Sequence, residues 1–278
     1  METGGRNFQG KFRQILITDY CLLITVMYQY IYDHYLGNKK YDKVLAKIEA
    51  RLIDLGIQGK INKITLLKNF EVYVNEIVAK QPEALVVVGN DETVAKILNI
   101  IAEKEVVLGI IPIGEPNTIA GYFGIPKEEA ACEVVSARKI KEVDLGKING
   151  QFFMSAVEVF GEGATVICNN KFEIKALKDT EKIGIYNLCF ETGSHQIFNP
   201  QDGQLELISA PKEQKGFWGF KSKKQLTESL IKIKKAKILS SPATSSVLVD
   251  GHKIMKTPAE VTLGEKKLRV IVGKERKF

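Results

Sequence analysis

The sequence predicts an α/β fold: a doubly wound N-terminal domain on a parallel sheet, followed by a second domain resembling an antiparallel β-sandwich. In the first half, apolar segments without polar alternation are separated by amphipathic helical segments, which is typical of a buried parallel sheet. The second half has short alternating segments divided by turn dipeptides, which is typical of antiparallel strands. With 278 residues and 45% hydrophobic side chains, the chain can build a core for both domains.

The first domain is predicted over residues 27–137. Its first helix is predicted at residues 41–55, where apolar residues recur at steps of three and four. Strand and helix then alternate, as in a doubly wound sheet. The predicted strands are 61–67, 84–88 and 106–111, and the predicted helices are 67–79, 93–102, 117–123 and 127–138.

The second, β-rich domain is predicted over residues 138–278. Its turn signals are the dipeptides Asn149-Gly150, Asp202-Gly203 and Asp250-Gly251, which favour hairpins. The predicted strand segments are 141–145, 150–159, 164–168, 182–190, 204–208, 236–239, 245–249 and 267–272.

Residues 1–26 are interpreted either as an extension of the protein or as the product of an upstream start, since Met27 opens a strand-like run. Basic residues precede an apolar run at residues 15–26, as in a signal peptide. However, Asp19 interrupts this run, and it is shorter than the roughly 20 residues that a membrane-spanning helix needs. Since no small-residue cleavage site follows, we expect no secretion.

The charge balance favours anionic partners, because 40 Lys and Arg residues outnumber 33 Asp and Glu residues and give a net charge of +7. We expect no nucleic-acid binding, because the sequence holds no recognised nucleic-acid module or stacking platform. The four cysteines, at positions 21, 132, 168 and 189, lie far apart without metal-ligand spacing. This pattern indicates reduced thiols in a cytoplasmic protein.

Two turns that follow predicted strands and lead into predicted helices, at residues 88–93 and 112–120, are candidate ligand sites. Ligands of parallel α/β sheets bind where the carboxyl ends of strands meet helix N-termini. Free N–H groups at a helix start bind phosphate well, and Gly89 and Gly114 would let the backbone approach it closely.

These turns resemble the motifs of the diacylglycerol kinase catalytic-domain family, which includes bacterial lipid kinases and sphingosine kinases and is related to NAD kinases. Residues 89–93 read G-N-D-E-T where the family has G-G-D-G-T. Residues 112–118 read P-I-G-E-P-N-T where the family has P-x-G-T-x-N-D.

Three further segments resemble the same family. Residues 144–150 are similar to the start of its β-rich domain, and residues 249–252 are similar to its late D-G-E element. The family's N-terminal N-P-x-S-G turn corresponds to residues 32–37, where Gly37 is kept.

The resemblance implies an ATP- and Mg-dependent kinase that phosphorylates the hydroxyl of a lipid such as diacylglycerol. Asp91 would then lie at the Mg ion, and Asp250 would be the catalytic base that activates the lipid hydroxyl. The residues implied for nucleotide binding are Gly89, Asn90, Asp91, Thr93, Gly114 and Asn117.

Several residues depart from the family pattern. Asn90 and Glu92 replace glycines of the first motif, Glu115 and Pro116 replace the threonine and its neighbour in the second, and His252 replaces the carboxylate of D-G-E. A carboxylate about 5 Å from a phosphate charge costs about 3 kcal/mol at an effective dielectric near 20. These changes favour an alternative: a catalytically impaired family member that binds a lipid, a nucleotide or a protein partner.

Several of these positions have other interpretations. Asn90 is a good N-cap, whose side chain would occupy donors that phosphate would use. Asp250 begins an Asp-Gly dipeptide that also favours a plain hairpin turn. Conversely, clustered Asp91, Glu92 and Glu115 would recruit an extra Mg ion and reverse the local charge. NAD kinase is a weaker enzyme alternative, because its dinucleotide contacts are not found in the sequence.

An aromatic and lysine-rich segment at residues 215–224 contains Phe217, Trp218 and Phe220. One interpretation is a peripheral membrane contact, in which aromatics enter the head-group layer beside lysines that meet anionic lipid. The other is a hairpin loop whose aromatics cover the β core.

Overall fold

The computed structural model describes residues 28–65, 69–160, 162–176, 180–188, 198–211, 229–241 and 244–278. The segments 1–26 and 215–224 lie outside the described residues, as do Cys21 and Cys189. No helix within the described ranges is long and apolar enough to cross a membrane.

The first sheet has six strands within the described residues: β1 (Gln29–Tyr32), β2 (Lys60–Lys63), β3 (Leu85–Gly89), β4 (Val107–Pro112), β5 (Ile140–Val143) and β18 (Leu268–Ile271). Their order is β2-β1-β3-β4-β18-β5. All neighbours are parallel except β5, which is antiparallel to β18. This sheet and its helices form the first domain.

The described helices of the first domain are α1 (Asp42–Asp54), α2 (Phe70–Val78), α3 (Asp91–Ile101), α4 (Thr118–Tyr122) and α5 (Ala131–Ala137). The predicted first helix is confirmed as α1, which buries Leu45, Ile48 and Leu52 on one face. The predicted helix at 127–138 consists of a short 3-10 turn, Glu128–Ala130, followed by α5.

Two antiparallel sheets form the second domain. Within the described residues, the second sheet has the order β10-β9-β14-β17-β6-β7 and the third has the order β13-β12-β11-β8-β15-β16. The strands of the second sheet are β6 (Gly146–Ile148), β7 (Gln151–Phe153), β9 (Ala164–Cys168), β10 (Phe172–Lys175), β14 (Lys235–Ser240) and β17 (Ala259–Leu263). Those of the third are β8 (Ala156–Phe160), β11 (Thr180–Tyr186), β12 (Leu205–Pro211), β13 (Ser229–Ile233), β15 (Ser246–Val249) and β16 (Lys253–Lys256).

Each domain has its own hydrophobic core. Leu85, Val86 and Val87 of β3 are fully buried in the first, so this strand lacks polar alternation as the sequence indicated. Val157 and Val159 of β8 point into the second core, and Glu158 between them faces the other way. The predicted fold class, a parallel-sheet domain followed by antiparallel sheets, is confirmed.

The first sheet takes two strands from beyond its predicted end at residue 137. β5 and β18 are hydrogen-bonded to each other, and β18 is parallel to β4. The chain therefore leaves the first domain after β5, builds the second domain and returns. A further connection joins the two domains: Asn99 of α3 exchanges two hydrogen bonds with the backbone of Phe152. These connections fix the cleft between the two domains.

Candidate functional site

The first turn, between β3 and α3, is closed by the side chain of Asn90. Its Oδ1 accepts hydrogen bonds from the amide of Thr93 at 3.2 Å and from the Thr93 hydroxyl at 3.1 Å. Its Nδ2 donates to the carbonyl of Glu115 at 3.1 Å. The N-cap interpretation of Asn90 is therefore confirmed, and one amide of the candidate phosphate cradle is already in use.

Asp91 joins the first turn to the second. Its Oδ2 accepts from the amide of Thr118 at 2.7 Å and its Oδ1 from the amide of Ile119 at 3.1 Å, while its own amide donates to the carbonyl of Pro116 at 2.9 Å. Asp91 is only 4% exposed, and this burial raises the pKa of its carboxyl group although the two amides act in the opposite direction.

Thr93 links α3 to the turn after β1. Its hydroxyl donates at 2.6 Å to the buried carboxylate of Asp33, which also contacts Nδ1 of His34 at 2.6 Å. Gly89 lies directly beneath, and a Cβ atom there would meet the Thr93 hydroxyl. Because it engages Asp33 and Asn90, the Thr93 side chain is part of the scaffold of the turn.

In the second turn, between β4 and α4, the backbone at Gly114 adopts a conformation that suits glycine, as the sequence indicated. Gly114 has a φ of +80°, a region that side chains rarely adopt. Tyr35 packs against it and donates its hydroxyl at 2.6 Å to the carbonyl of Ile113. Asn117 donates Nδ2 to the carbonyl of Gly114, and its buried Oδ1 has no hydrogen-bond partner among the described residues. An incoming donor would find that oxygen unsatisfied.

The acidic replacements in the turns point away from one another. Glu92 pairs with Lys96 one helical turn later, at 2.9 Å, and Glu115 pairs with Lys127. Asp91 is turned inward. The hypothesis that these three carboxylates gather an extra Mg ion is therefore wrong. In the described part of the chain, no group of three or more His, Cys, Asp or Glu side chains could hold a metal ion by itself.

Asp250 sits in the turn between β15 and β16, with φ of +48° followed by +71° at Gly251, so the hairpin interpretation is confirmed. Its carboxylate nevertheless points back to the main chain after β7. Oδ1 accepts from the amides of Ser155 at 2.7 Å and Ala156 at 3.1 Å, and Oδ2 accepts from the amide of Met154 at 3.0 Å.

The electrostatics of Asp250 combine two opposing effects. Burial raises the pKa of its carboxyl group, while the three amides and the nearby His252 act to lower it. His252 itself holds the carbonyl of Asp250 through Nδ1 at 2.9 Å and is exposed.

Two cavities meet at Asp250. The smaller, about 300 Å³, is lined by Asp91 and Pro116 of the first domain and by Ser155 and Asp250 of the second. The larger, about 650 Å³, also reaches Asp250 and is lined by the following residues: Phe70, Glu92, Lys96, Phe152, His252 and Lys253. The structure therefore brings the predicted residues Asp91 and Asp250 to one cleft, from positions far apart in the chain.

The side chains present fit Mg-ATP in part. Mg²⁺ is usually held by one or two carboxylates together with phosphate oxygens and water. Asp91 can serve as one such carboxylate, because its bonds to amides leave lone pairs unused. The amide of Glu92 lies in the first turn of α3, where N–H groups have no intrahelical acceptor. The amide of Thr93 is occupied by Asn90.

Comparison with known families identifies what the first domain resembles. Residues 28–148 match the family model described as the diacylglycerol kinase catalytic domain. This stretch of the chain is similar to that family. The match begins at β1 and ends at β6, and it includes both turns described above.

Curated relatives match the same part of the chain. A diacylglycerol kinase of Bacillus subtilis is 26% identical over 129 residues, which is 45% of this chain and 43% of that protein. A probable lipid kinase, YegS-like, of Pseudomonas aeruginosa is 32% identical over 104 residues, 37% of this chain and 34% of that protein. The matched stretch thus spans less than half the length of these relatives.

Solved structures resemble nearly the whole chain in fold. A diacylglycerol kinase of Bacillus anthracis has a TM-score of 0.72 at 20% identity and covers 89% of this chain and 97% of its own. An NAD kinase of Archaeoglobus fulgidus, solved with ATP, has a TM-score of 0.58 at 13% identity and covers 90% of this chain and 96% of its own. The region that matches the diacylglycerol kinase family model is therefore followed here by a second domain whose fold also resembles these structures.

Several residues of the cleft have no counterpart in the sequence-based predictions. Asp33 and Tyr35 brace the two turns from the region after β1. Glu158, Lys182 and Tyr186 line the smaller cavity from the third sheet. No motif marks any of them in the sequence, and Gly184 within a strand is the one local signal of the close packing found there.

Proposed function

We propose that the protein is a Mg²⁺- and ATP-dependent kinase that phosphorylates a lipid hydroxyl, as the names of its diacylglycerol kinase relatives suggest. The observation that carries this proposal is the shared cavity. Asp91 follows β3 and Asp250 follows β15, yet both line the same space of about 300 Å³ between the domains. Two carboxylates with separate roles are what a phosphotransferase needs: one at the metal and one at the acceptor hydroxyl.

Asp250 would act as the general base through its Oδ2 atom. A carboxylate offers about four acceptor positions. The amides of Ser155 and Ala156 use two on Oδ1, and the amide of Met154 uses one on Oδ2. Oδ2 therefore keeps a position for the acceptor hydroxyl. The raised pKa of Asp250 favours proton transfer, and the three amides hold the carboxylate in one orientation.

The larger cavity is the proposed nucleotide site. Its volume of about 650 Å³ lies within the usual range for ligand pockets, and its lining combines Phe70 and Phe152 with Lys96 and His252. When bound, Mg-ATP supplies the phosphoryl group. Asp91, which lines the adjoining smaller cavity, would hold the metal, and the amide of Glu92 at the start of α3 would bind a phosphate oxygen.

A lipid acceptor implies that the protein works at a membrane surface. We propose that the segment with Phe217, Trp218 and Phe220 provides this contact, within a cytoplasmic protein. Liposome co-sedimentation of the triple Ala variant tests this directly: binding to anionic vesicles should fall at least about tenfold. Unchanged binding would remove the membrane contact from the proposal and leave the kinase assignment intact.

The kinase proposal is tested by thermal shift with Mg-ATP and by phosphoryl transfer to dispersed diacylglycerol. Asp91→Ala should abolish the Mg-dependent shift, and Asp250→Asn should keep the shift but lose transfer. Asn tolerates the left-handed backbone at this position, and its Oδ1 can still accept from the amides of Ser155 and Ala156. The turn should therefore persist, at a cost of about 1–3 kcal/mol for the lost bond from Met154. Glu173→Gln, a change at a residue 51% exposed on β10, is the matched control and should behave as wild type.

A specific observation favours a second candidate, a family member that binds its ligand without catalysis. The Thr93 amide is occupied by Asn90, and the amides of Thr118 and Ile119 are occupied by Asp91. Turns whose amides are already hydrogen-bonded to side chains would bind the phosphates of ATP weakly. Lipid binding without any nucleotide-dependent shift and without transfer would support this candidate over the kinase.

A further inference from the structure

The smaller cavity has a polar wall that the proposed reaction does not use. Glu158 of β8 accepts hydrogen bonds from Nζ of Lys182 at 2.6 Å and from the hydroxyl of Tyr186 at 2.7 Å, and all three side chains line the cavity. Asp250 lines the same space. We refer to Glu158, Lys182 and Tyr186 as the carboxylate triad.

The carboxylate triad depends on a specific feature of two paired strands. Glu158 lies directly opposite Gly184 in the β8–β11 register. A Cβ atom on Gly184 would overlap the ring of Tyr186, so the absence of a side chain there lets the ring lie across the strand and bring its hydroxyl to Glu158. The side chain of Glu158 is only 17% exposed. The strands thus hold a nearly buried carboxylate in one fixed orientation.

The hydrogen bonds of the triad leave one oxygen of Glu158 available. Both donors, Lys182 and Tyr186, go to Oε1. Among the described residues no donor goes to Oε2, and a carboxylate oxygen accepts up to two hydrogen bonds. If a bound ligand placed only apolar atoms against this partly buried carboxylate, Oε2 would lose its water without compensation. The triad therefore suits a ligand that donates a hydrogen bond to it.

The size of the cavity limits which part of a lipid can enter. About 300 Å³ is at the lower end of ligand pockets, so it admits a head group rather than long acyl chains. Its lining includes two carboxylates of different origin, Asp250 from the β15–β16 turn and Glu158 from β8. A head group with one hydroxyl at Asp250 and a second at Glu158 would satisfy both.

We infer that the carboxylate triad is a specificity subsite for an acceptor with a polyol head group, in which a second free hydroxyl donates to Oε2 of Glu158. This inference rests on the proposed assignment of the smaller cavity to the acceptor. The favoured acceptor is a glycerol monoester or a similar lipid with neighbouring hydroxyls, ahead of a lipid with one hydroxyl. Sites built to hydrogen-bond a hydroxyl discriminate strongly against analogues that lack it.

The test is calorimetric binding of two ligands with equal acyl chains: glycerol monooctanoate, with two hydroxyls, and ethylene glycol monooctanoate, with one. The full-length protein should bind the glycerol ester at least about tenfold more tightly. Glu158→Gln should reduce that preference to within about twofold, whereas Glu173→Gln should retain it. Tyr186→Phe, which keeps the aromatic ring, should reduce the preference even if Glu158→Gln fails to fold.

Equal affinity of the wild-type protein for the two esters, or an undiminished preference in folded Glu158→Gln or in Tyr186→Phe, would overturn the inference. Binding is measured without nucleotide, so the result is independent of kinase activity. Parallel assays with Mg-ATP separate the two proposals. A preference without transfer removes the kinase assignment alone, and equal transfer to both esters without a preference removes the polyol subsite alone.

Discussion

The carboxylate of Asp91 accepts a 2.7 Å hydrogen bond from the amide of Thr118, so the residue proposed to hold Mg²⁺ also fastens the start of α4. The same side chain accepts from Ile119. Its position therefore depends on both turns of the cleft, and any change at Asp91 should affect stability as well as metal binding.

Asp91→Asn should lower the free energy of unfolding by about 1–3 kcal/mol, because the amide group that replaces one oxygen cannot accept from a backbone N–H. Urea denaturation measures this directly. Glu92→Gln is the matched control at the next position: its side chain is exposed and paired with Lys96, so its effect should stay within about 0.5 kcal/mol. Equal effects of the two changes would contradict the anchoring role of Asp91.

Restoring the family pattern in the turns should strengthen nucleotide binding. The combined change Asn90→Gly, Glu92→Gly and Glu115→Thr frees the Thr93 amide and removes two carboxylates. We expect the Kd for Mg-ATP to fall at least about tenfold. We also expect a loss of stability of about 1 kcal/mol, mainly because glycine at position 92 is unfavourable within α3. Calorimetry with Mg-ATP measures the affinity. An unchanged or weaker affinity would show that these side chains do not limit binding.

Glu206 should make stability depend on pH. It is 3% exposed on β12, and burial together with nearby Asp202 raises the pKa of its carboxyl group to about 7. The folded state therefore favours the protonated form, so the stabilisation is complete below the ordinary pKa of 4.5 and is lost as the pH rises through 7.

Chemical denaturation between about pH 5 and pH 8 measures this dependence. Glu206→Gln should flatten it and raise the stability at the upper end by up to about 3 kcal/mol. Glu173→Gln should leave the wild-type slope unchanged. A wild-type stability that rises across this window would contradict the assignment, because the sign would then be that of a carboxyl group with a lowered pKa.

Gly184→Ala should disturb the carboxylate triad through Tyr186. The added Cβ would overlap the tyrosine ring, and we expect a loss of about 1–3 kcal/mol in stability. In a Tyr186→Ala background the overlap disappears, so the same change should cost less than half as much. A cost that is equal in both backgrounds would mean that the ring does not rest on Gly184.

Much of the first domain could be predicted from local sequence patterns, but the strands that complete its sheet could not. β3 and β4 are continuous apolar runs, and their neighbouring helices have apolar stripes. β18 joins β4 although the two strands are separated by the whole second domain. Local sequence patterns do not predict such pairing, because it depends on packing between distant parts of the chain. The strands β6, β10, β13, β16 and β17 lie outside the predicted strand segments. In β10 and β16, charged residues take up half of a four-residue strand and obscure its apolar pattern.

Only those residues of the candidate site that lie within sequence motifs could be predicted. Motif positions identified Asp91 and Asp250, and the residue types at Asn90 and Asp250 correctly indicated a cap and a turn. Their meeting in one cavity depends on the fold. Glu158, Lys182 and Tyr186 could not be found, because the β8–β11 register alone brings them together. The roles of the predicted site residues in binding and catalysis stay predictions.

The most direct test of the kinase assignment is phosphoryl transfer from Mg-ATP to a lipid hydroxyl by the wild-type protein and by Asp250→Asn. We expect measurable transfer by the wild type and a reduction of about 10²–10⁴-fold in the variant, with the melting temperature still shifted by Mg-ATP. Transfer that is undiminished in Asp250→Asn, or no transfer by wild-type protein that binds both ligands, would contradict it.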